Sequence, residues 1–199
     1  MKKEGFYFER IRPVVVMIII TVVCIGLVSG IYLSTKKLVT ENEDLVFRKA
    51  VLYAAGISVP ESNVEINSLY DERVTEKDSL YIVKDTAGEV MALAFIVSGP
   101  GLWGDIEAVT AFDKTLEKFS GVEFTSQNET PGLGARITES WFKEQLRGKS
   151  TPLIMLPEGT RSDNVNEIDA ITGATRTSDY VLAILNDAGV RAASLSRDN

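Results

Sequence analysis

From Pro13 to Leu33 the chain runs for 21 residues without a charge, relieved only by mild residues such as Thr21, Ser29 and Tyr32. At about 1.5 Å of rise per residue a helix of this length reaches roughly 32 Å, enough for the hydrocarbon core of a bilayer. A cleavable signal peptide would have a shorter apolar core and an A-x-A-like site, and neither is present. A lipoprotein signal would place small residues before its cysteine, whereas Cys24 follows Val22-Val23. Cys24 is therefore read as an apolar filler facing lipid or a neighbouring helix. Lys2, Lys3, Arg10 and Arg12 precede the span, against Lys36 and Lys37 after it. The excess of basic residues stays in the cytoplasm, which puts the chain from about residue 36 onward on the other side. The expected division is residues 1–12 as a cytoplasmic N-terminus, 13–33 as a transmembrane helix, 34–58 as a connecting helix and 59–199 as an extracytoplasmic domain.

That domain has ordinary size, and a chain with 45% hydrophobic residues can fill its core. Histidine is absent, which removes a Ser-His-Asp triad, a histidine general base and histidine metal ligands together. One cysteine cannot form an internal disulfide, a thiolate zinc site or an iron–sulfur cluster. No metal site is expected, and any redox chemistry must reside on an organic cofactor. The net charge is −7, with +2 on residues 1–35 and therefore −9 on the rest. An acidic domain of this kind is a poor partner for nucleic acid, whose phosphates are neutralised by Lys and Arg.

Residues Thr40–Ala55 keep an apolar helical stripe, with Thr40-x-x-Glu43 as a capping box and Gly56 as a stop. Val59–Asp78 is polar and of low periodicity, which predicts a long connection with room for a short helix. Leu80–Lys84 and Glu89–Val97 flank the turn Asp85-Thr86-Ala87-Gly88, a hairpin signal. Ile106–Phe112 and Leu116–Thr125 flank Asp113-Lys114, a second one. Between them lies the glycine-rich bend Ser98–Gly104, built around Trp103. The loop Asn128–Gly134 precedes a predicted helix at Thr138–Arg147, and Leu153–Leu156 reads as a short strand. This order predicts an α+β fold: an antiparallel sheet with helices packed on it, behind one transmembrane helix.

The run Asp169-Ala170-Ile171-Thr172-Gly173-Ala174-Thr175-Arg176-Thr177-Ser178 leads into an amphipathic segment carrying Val181, Leu182, Ile184, Leu185 and Ala188. Hydroxyls at Thr175, Thr177 and Ser178 crowd a helix start, where their plain use is capping. The same unpaired N–H groups and the positive dipole end also suit a phosphate. Gly173 and Ala174 allow close approach to the backbone, and the Arg176 guanidinium is suited to a phosphate oxygen.

The pattern D-x-x-[ST]-G-A-[ST] resembles the flavinylation motif of the FMN-binding subunits of the Rnf and Nqr respiratory complexes. Two further motifs fit: Glu129-Thr130-Pro131-Gly132-Leu133-Gly134, set 34 residues ahead of Asp169, and Gly101-Leu102-Trp103. The resemblance covers nearly the whole chain, anchor included. It implies covalent FMN, joined through its phosphate to Thr175 by a dedicated flavin transferase, with Asp169, Thr172, Gly173 and Ala174 as the surrounding signature. It also implies a flavin ring near the second motif. There Gly132 and Gly134 admit the ring, Thr130 and loop amides meet its edge, Leu133 covers a face and Trp103 stacks. Gln127 stands where such subunits often have histidine.

The implied role is an electron-carrier subunit of an ion-translocating oxidoreductase in a bacterial or archaeal membrane, not catalytic alone. Its partners would be other membrane and iron–sulfur subunits. Chain size favours the Rnf type, which exchanges electrons between ferredoxin and NAD with transport of Na+ or H+. The G-L-W bend looks more like the Nqr type, which passes electrons from NADH to a quinone. The alternatives are a solitary anchored flavoprotein and a non-enzymatic anchored binding domain.

Overall fold

The computed structural model describes residues 3–197. Lys2, one of the basic residues behind the expected orientation, lies outside them. Helix α1 spans Lys3–Ala54 and contributes to two compact units that divide between Asp44 and Leu45.

In the first unit, α1 is long and apolar enough to cross a membrane, and its apolar side chains from Ile11 to Leu33 are exposed. Two hydroxyls in and beside the apolar run bond back to the helix, as suits a hydrocarbon environment. Thr21 Oγ1 donates to Met17 O at 2.8 Å and Ser34 Oγ to Gly30 O at 2.8 Å. The expected helix start at Thr40 does not occur. Helix α1 continues through it, and Thr40 Oγ1 donates back to Lys36 O at 3.2 Å. No glycine or proline interrupts residues 34–44, so nothing ends the helix there and Thr40 caps nothing.

In the second unit, five strands among the described residues form an antiparallel meander in chain order. They are β1 (Val74–Lys77), β2 (Leu80–Lys84), β3 (Val90–Pro100), β4 (Asp105–Asp113) and β5 (Phe119–Ser126). Both predicted hairpins are present. In the first turn Asp85 Oδ1 accepts the amides of Ala87 and Glu89, and Gly88 takes φ +85°. The second turn is longer than expected. Asp113 Oδ1 accepts the amides of Glu117 and Lys118, Leu116 sits at φ +60°, and β5 begins only at Phe119. The polar stretch read as a connection holds helix α2 (Asn63–Arg73) and edge strand β1. Edge strand β1 exposes nearly every side chain, so it lacks the alternation that would betray it.

Both faces of the sheet are covered. Leu93 and Phe95 of β3, with Ile106, Ala108 and Phe112 of β4, face one core. Ala92, Ala94, Val109 and Ala111 face the other, where Ala50, Val51 and Ala54 from the end of α1 pack. The small alanines let that helix lie close to the sheet. On the first face lie α3 (Ser140–Glu144) and α4 (Thr175–Arg197). The stripe Val181, Ile184, Leu185, Ala188 and Ala192 of α4 is buried, as its period predicts. A Cβ on Gly99 would lie 2.6 Å from Ile184 Cγ1, so glycine there lets α4 sit down on β3.

The helix expected over 138–147 is split. A 3₁₀ turn at Gly134–Thr138 ends at an extended Glu139, whose carboxylate takes Trp141 Nε1–H and Arg136, and α3 follows. Beyond the sheet, β6 (Ile154–Leu156) pairs in parallel with β7 (Glu167–Asp169), a three-residue strand without a legible pattern. β7 runs directly into the segment that opens α4.

Candidate functional site

The link from β7 to α4 is a tight turn. Gly173 adopts φ +79°, a left-handed conformation that favours glycine, and Ala174 N–H donates to Ile171 O at 3.0 Å. The first bond of α4 is Ser178 N–H to Ala174 O. The amides of Thr175, Arg176 and Thr177 therefore precede the intrahelical ladder. The hydroxyls expected to cap them do other work. Ser178 Oγ reaches back to accept Ile171 N–H at 3.1 Å. Thr177 Oγ1, buried, donates to Glu129 Oε2 at 2.5 Å. Thr175 is exposed, and its hydroxyl has no hydrogen-bond partner among the described residues.

Glu129 ties three separated motifs together. Its carboxylate is 5% exposed; besides Thr177 it accepts the amides of Leu102 at 2.7 Å and Trp103 at 3.2 Å. A buried carboxylate survives only with such donors. Two glycines make the space for it. A Cβ on Gly101 would lie 2.6 Å from Glu129 Oε1, and one on Gly134 would lie 2.7 Å from Oε2 and 2.5 Å from Thr177 Oγ1. Gln127 Oε1 accepts Glu129 N–H at 2.6 Å, which gives Gln127 a structural task. Loop 130–134 closes on itself, with the amides of Leu133 and Ala135 donating to Thr130 O and Gly132 at φ +74°. Leu133 and Gly173 approach closely: a Cβ on Gly173 would stand 3.2 Å from Leu133 Cδ2. The structure thus joins Trp103, Glu129, Leu133, Gly173 and the start of α4.

The remaining candidates divide. Trp103 is 68% exposed and Leu133 43%, so both offer apolar surface. Thr130 and Gly132 lie at the surface. Arg176 turns along the helix toward Tyr180, its guanidinium carbon 5.8 Å from the ring centre. Asp169 is buried, and its carboxylate accepts Gly159 N–H at 2.8 Å and Arg161 N–H at 3.2 Å. That geometry gives Asp169 a role in shaping loop 157–161.

Two residues that sequence reasoning missed stand beside the turn. Glu158 Oε2 accepts Thr172 N–H at 2.7 Å, while both its oxygens take the Arg136 guanidinium at 2.8 and 3.1 Å. Arg136, the hydrogen bonds from the Thr172 amide and hydroxyl, and Arg136's charge hold the Glu158 carboxyl down at about 2. Arg136 also lies over the Trp141 ring at 5.3 Å. No local motif marks Glu158, because its partners stand 22 and 14 residues away in the chain.

Residues 101–189, from the G-L-W bend to the middle of α4, match the family of the FMN-binding domain. That stretch of the chain is similar to an FMN-binding domain. The chain is 34% identical over 134 residues to the G subunit of the Na(+)-translocating ferredoxin:NAD(+) oxidoreductase complex of Acetobacterium woodii, covering 65% of this chain and 63% of that protein. It is 29% identical over 109 residues to the C subunit of the Na(+)-translocating NADH-quinone reductase of Yersinia pestis, covering 51% and 41% respectively. The chain thus spans less than two thirds of the length of either relative. In fold, the chain is similar to the crystal structure of the C subunit of the same type of reductase from Parabacteroides distasonis. The TM-score there is 0.66 at 22% identity, over 79% of this chain and 95% of that one.

Proposed function

We propose that this chain holds FMN covalently, as a phosphoester on Thr175, and serves as an electron-carrier subunit of a membrane-bound, ion-translocating oxidoreductase. The observation that carries the reading is the Thr175 hydroxyl. It is exposed and unpartnered among the described residues, at the first turn of α4, beside amides outside the helical ladder and beside the small Gly173 and Ala174. Those features fit a phosphate ester. Thr175 would hold the phosphate, with the first-turn amides and the helix dipole offsetting its charge. Leu133 and Trp103 would supply apolar cover for the ring. When bound, FMN supplies the electron transfer, and the protein supplies placement and electrostatics. Asp169, Thr172 and Glu129 shape the surroundings, and Arg176 is close enough in sequence to swing from Tyr180 to a phosphate.

The membrane span at 13–33, the connecting segment 34–58 and a domain from residue 59 held outside the cytoplasm complete the proposal. A covalent link suits that side, where a dissociated flavin would not be replaced. Similarity to the Acetobacterium protein over 65% of the chain favours the Rnf type, with ferredoxin/NAD exchange and membrane and iron–sulfur subunits as partners. The Gly101-Leu102-Trp103 bend and the similarity to the Yersinia protein favour the Nqr type as a second reading.

Coexpression of the full chain with a flavin transferase tests the attachment. A yellow-green fluorescent band after denaturing electrophoresis is expected, and Thr175→Val abolishes it. A polypeptide of unmodified mass would remove the covalent reading. Copurification of several hydrophobic subunits from the native host separates a respiratory complex from a solitary flavoprotein.

A further inference from the structure

Loop 157–161 is held in a costly conformation. Gly159 sits at φ +90°, and Arg161, which has a side chain, at φ +50°. Non-glycine residues in this region cost free energy and persist only where their surroundings over-determine them. Here the surroundings are two carboxylates. Asp169, at the end of β7, accepts the amides of Gly159 and Arg161. Glu158, within the loop, reaches the other way and accepts Thr172 N–H. The loop and the turn ahead of Thr175 are thus strapped together twice, in opposite senses. Arg136, just beyond the Glu129–Gly134 loop, grips Glu158 with both terminal nitrogens and fixes which way its carboxylate faces.

We propose that Glu158, oriented by Arg136, is a positioning residue: by holding the Thr172 amide it sets the Ile171–Ala174 turn and so presents the Thr175 hydroxyl for flavin attachment. The inference rests on Thr175 as the attachment point. In that reaction the Thr175 Oγ–P bond forms as the pyrophosphate P–O bond of a flavin dinucleotide donor breaks. A nucleoside monophosphate departs, and the hydroxyl proton passes to a base on the transferase. No electrons change hands. Glu158 touches none of the reacting atoms in this arrangement; it acts through the backbone.

The two halves of the Glu158 contact can be separated chemically. Glu158→Gln keeps an acceptor oxygen for Thr172 N–H but gives up the charge. Exchanging the pair, Arg136→Glu with Glu158→Arg, keeps an ion pair but leaves Thr172 N–H without its acceptor, since a guanidinium accepts nothing. The initial rate of flavin attachment to the full chain is measured by intact mass in the presence of transferase and donor, alongside thermal melting and amide exchange of the 171–175 segment. Glu158→Ala and the exchanged pair should label about tenfold more slowly, a fraction of the roughly hundredfold that a 1 Å misplacement of a reacting atom can cost. Both should expose the Thr172 amide to exchange, while Glu158→Gln labels within about twofold of the parent. Labelling of the exchanged pair at the parent rate would reduce Glu158 to a simple ion-pair partner and overturn the proposal. So would an unchanged Thr172 exchange rate in Glu158→Ala. A parent chain that takes no label, or a Thr175→Val chain that still does, would instead remove the attachment reading, and this inference with it.

Discussion

Glu129 shows how one side chain can hold together segments that are distant in sequence. Replacing it by alanine would leave the Thr177 hydroxyl and the Leu102 and Trp103 amides without their acceptor. Unpaired donors cost about 1–3 kcal/mol each where buried, so Glu129→Ala should lose about 3 kcal/mol in urea denaturation. Glu129→Gln, which retains an acceptor, should lose less than half of that. Glu158 gives a pH dependence whose sign is fixed by its depressed pKa. Its carboxyl lies at about 2 against an ordinary value of 4.5. The carboxylate contact therefore contributes fully above about pH 4.5 and is lost as pH falls through 2. An amide-exchange titration should show Thr172 protected down to about pH 4 and progressively exposed below it, with Glu158→Gln flattening the response. Protection that persisted unchanged through pH 2 would contradict the assigned contact.

At the scale of elements, close approach decides what the site can be. Gly134 lies against Thr177 Oγ1 and Glu129 Oε2, where a Cβ would stand at 2.5 and 2.7 Å. Gly134→Ala must push the 3₁₀ turn away from α4, at about 1–3 kcal/mol, with a fall in melting temperature as the readout. Phe142, on the short α3, is fully buried and lies 6.3 Å from the Phe124 ring of β5. Phe142→Ala should cost about 3–5 kcal/mol without altering the Thr175 environment, which separates stability from site geometry. The sequence pattern is clear for α4, whose stripe repeats over several turns. It is silent for β7, where three residues cannot establish a period, and misleading for Thr138–Arg147, where Glu139 leaves the helix to serve Trp141 and Arg136.

For the whole molecule, the end of α1 belongs to the domain core. Ala50, Val51, Leu52 and Ala54 are all 1% exposed or less, and three of them pack on the alanine face of the sheet. A chain beginning at residue 36 should fold cooperatively in water. One beginning at residue 59 lacks these side chains and uncovers Ala92, Ala94, Val109 and Ala111. Burial of a Val or Leu side chain contributes about 1.5–3 kcal/mol, so the combined loss approaches the stability of an ordinary domain. The shorter chain should lose its sharp melting transition by circular dichroism. Equal melting of the two would show that the helix end is dispensable.

The residues alone suffice for a helix long enough to span a membrane, for the two hairpins, for the stripe of α4 and for the candidacy of Thr175. Each of these depends on near neighbours: length without charge, a turn residue, a period, a short motif. Tertiary structure alone decided what Glu129, Asp169 and Glu158 do. Glu129 and Asp169 belong to recognisable motifs and Glu158 to none, yet all three carboxylates accept donors 8 to 48 residues away. A carboxylate buried or held in place takes whichever donors folding delivers to it, and no sequence spacing records that choice.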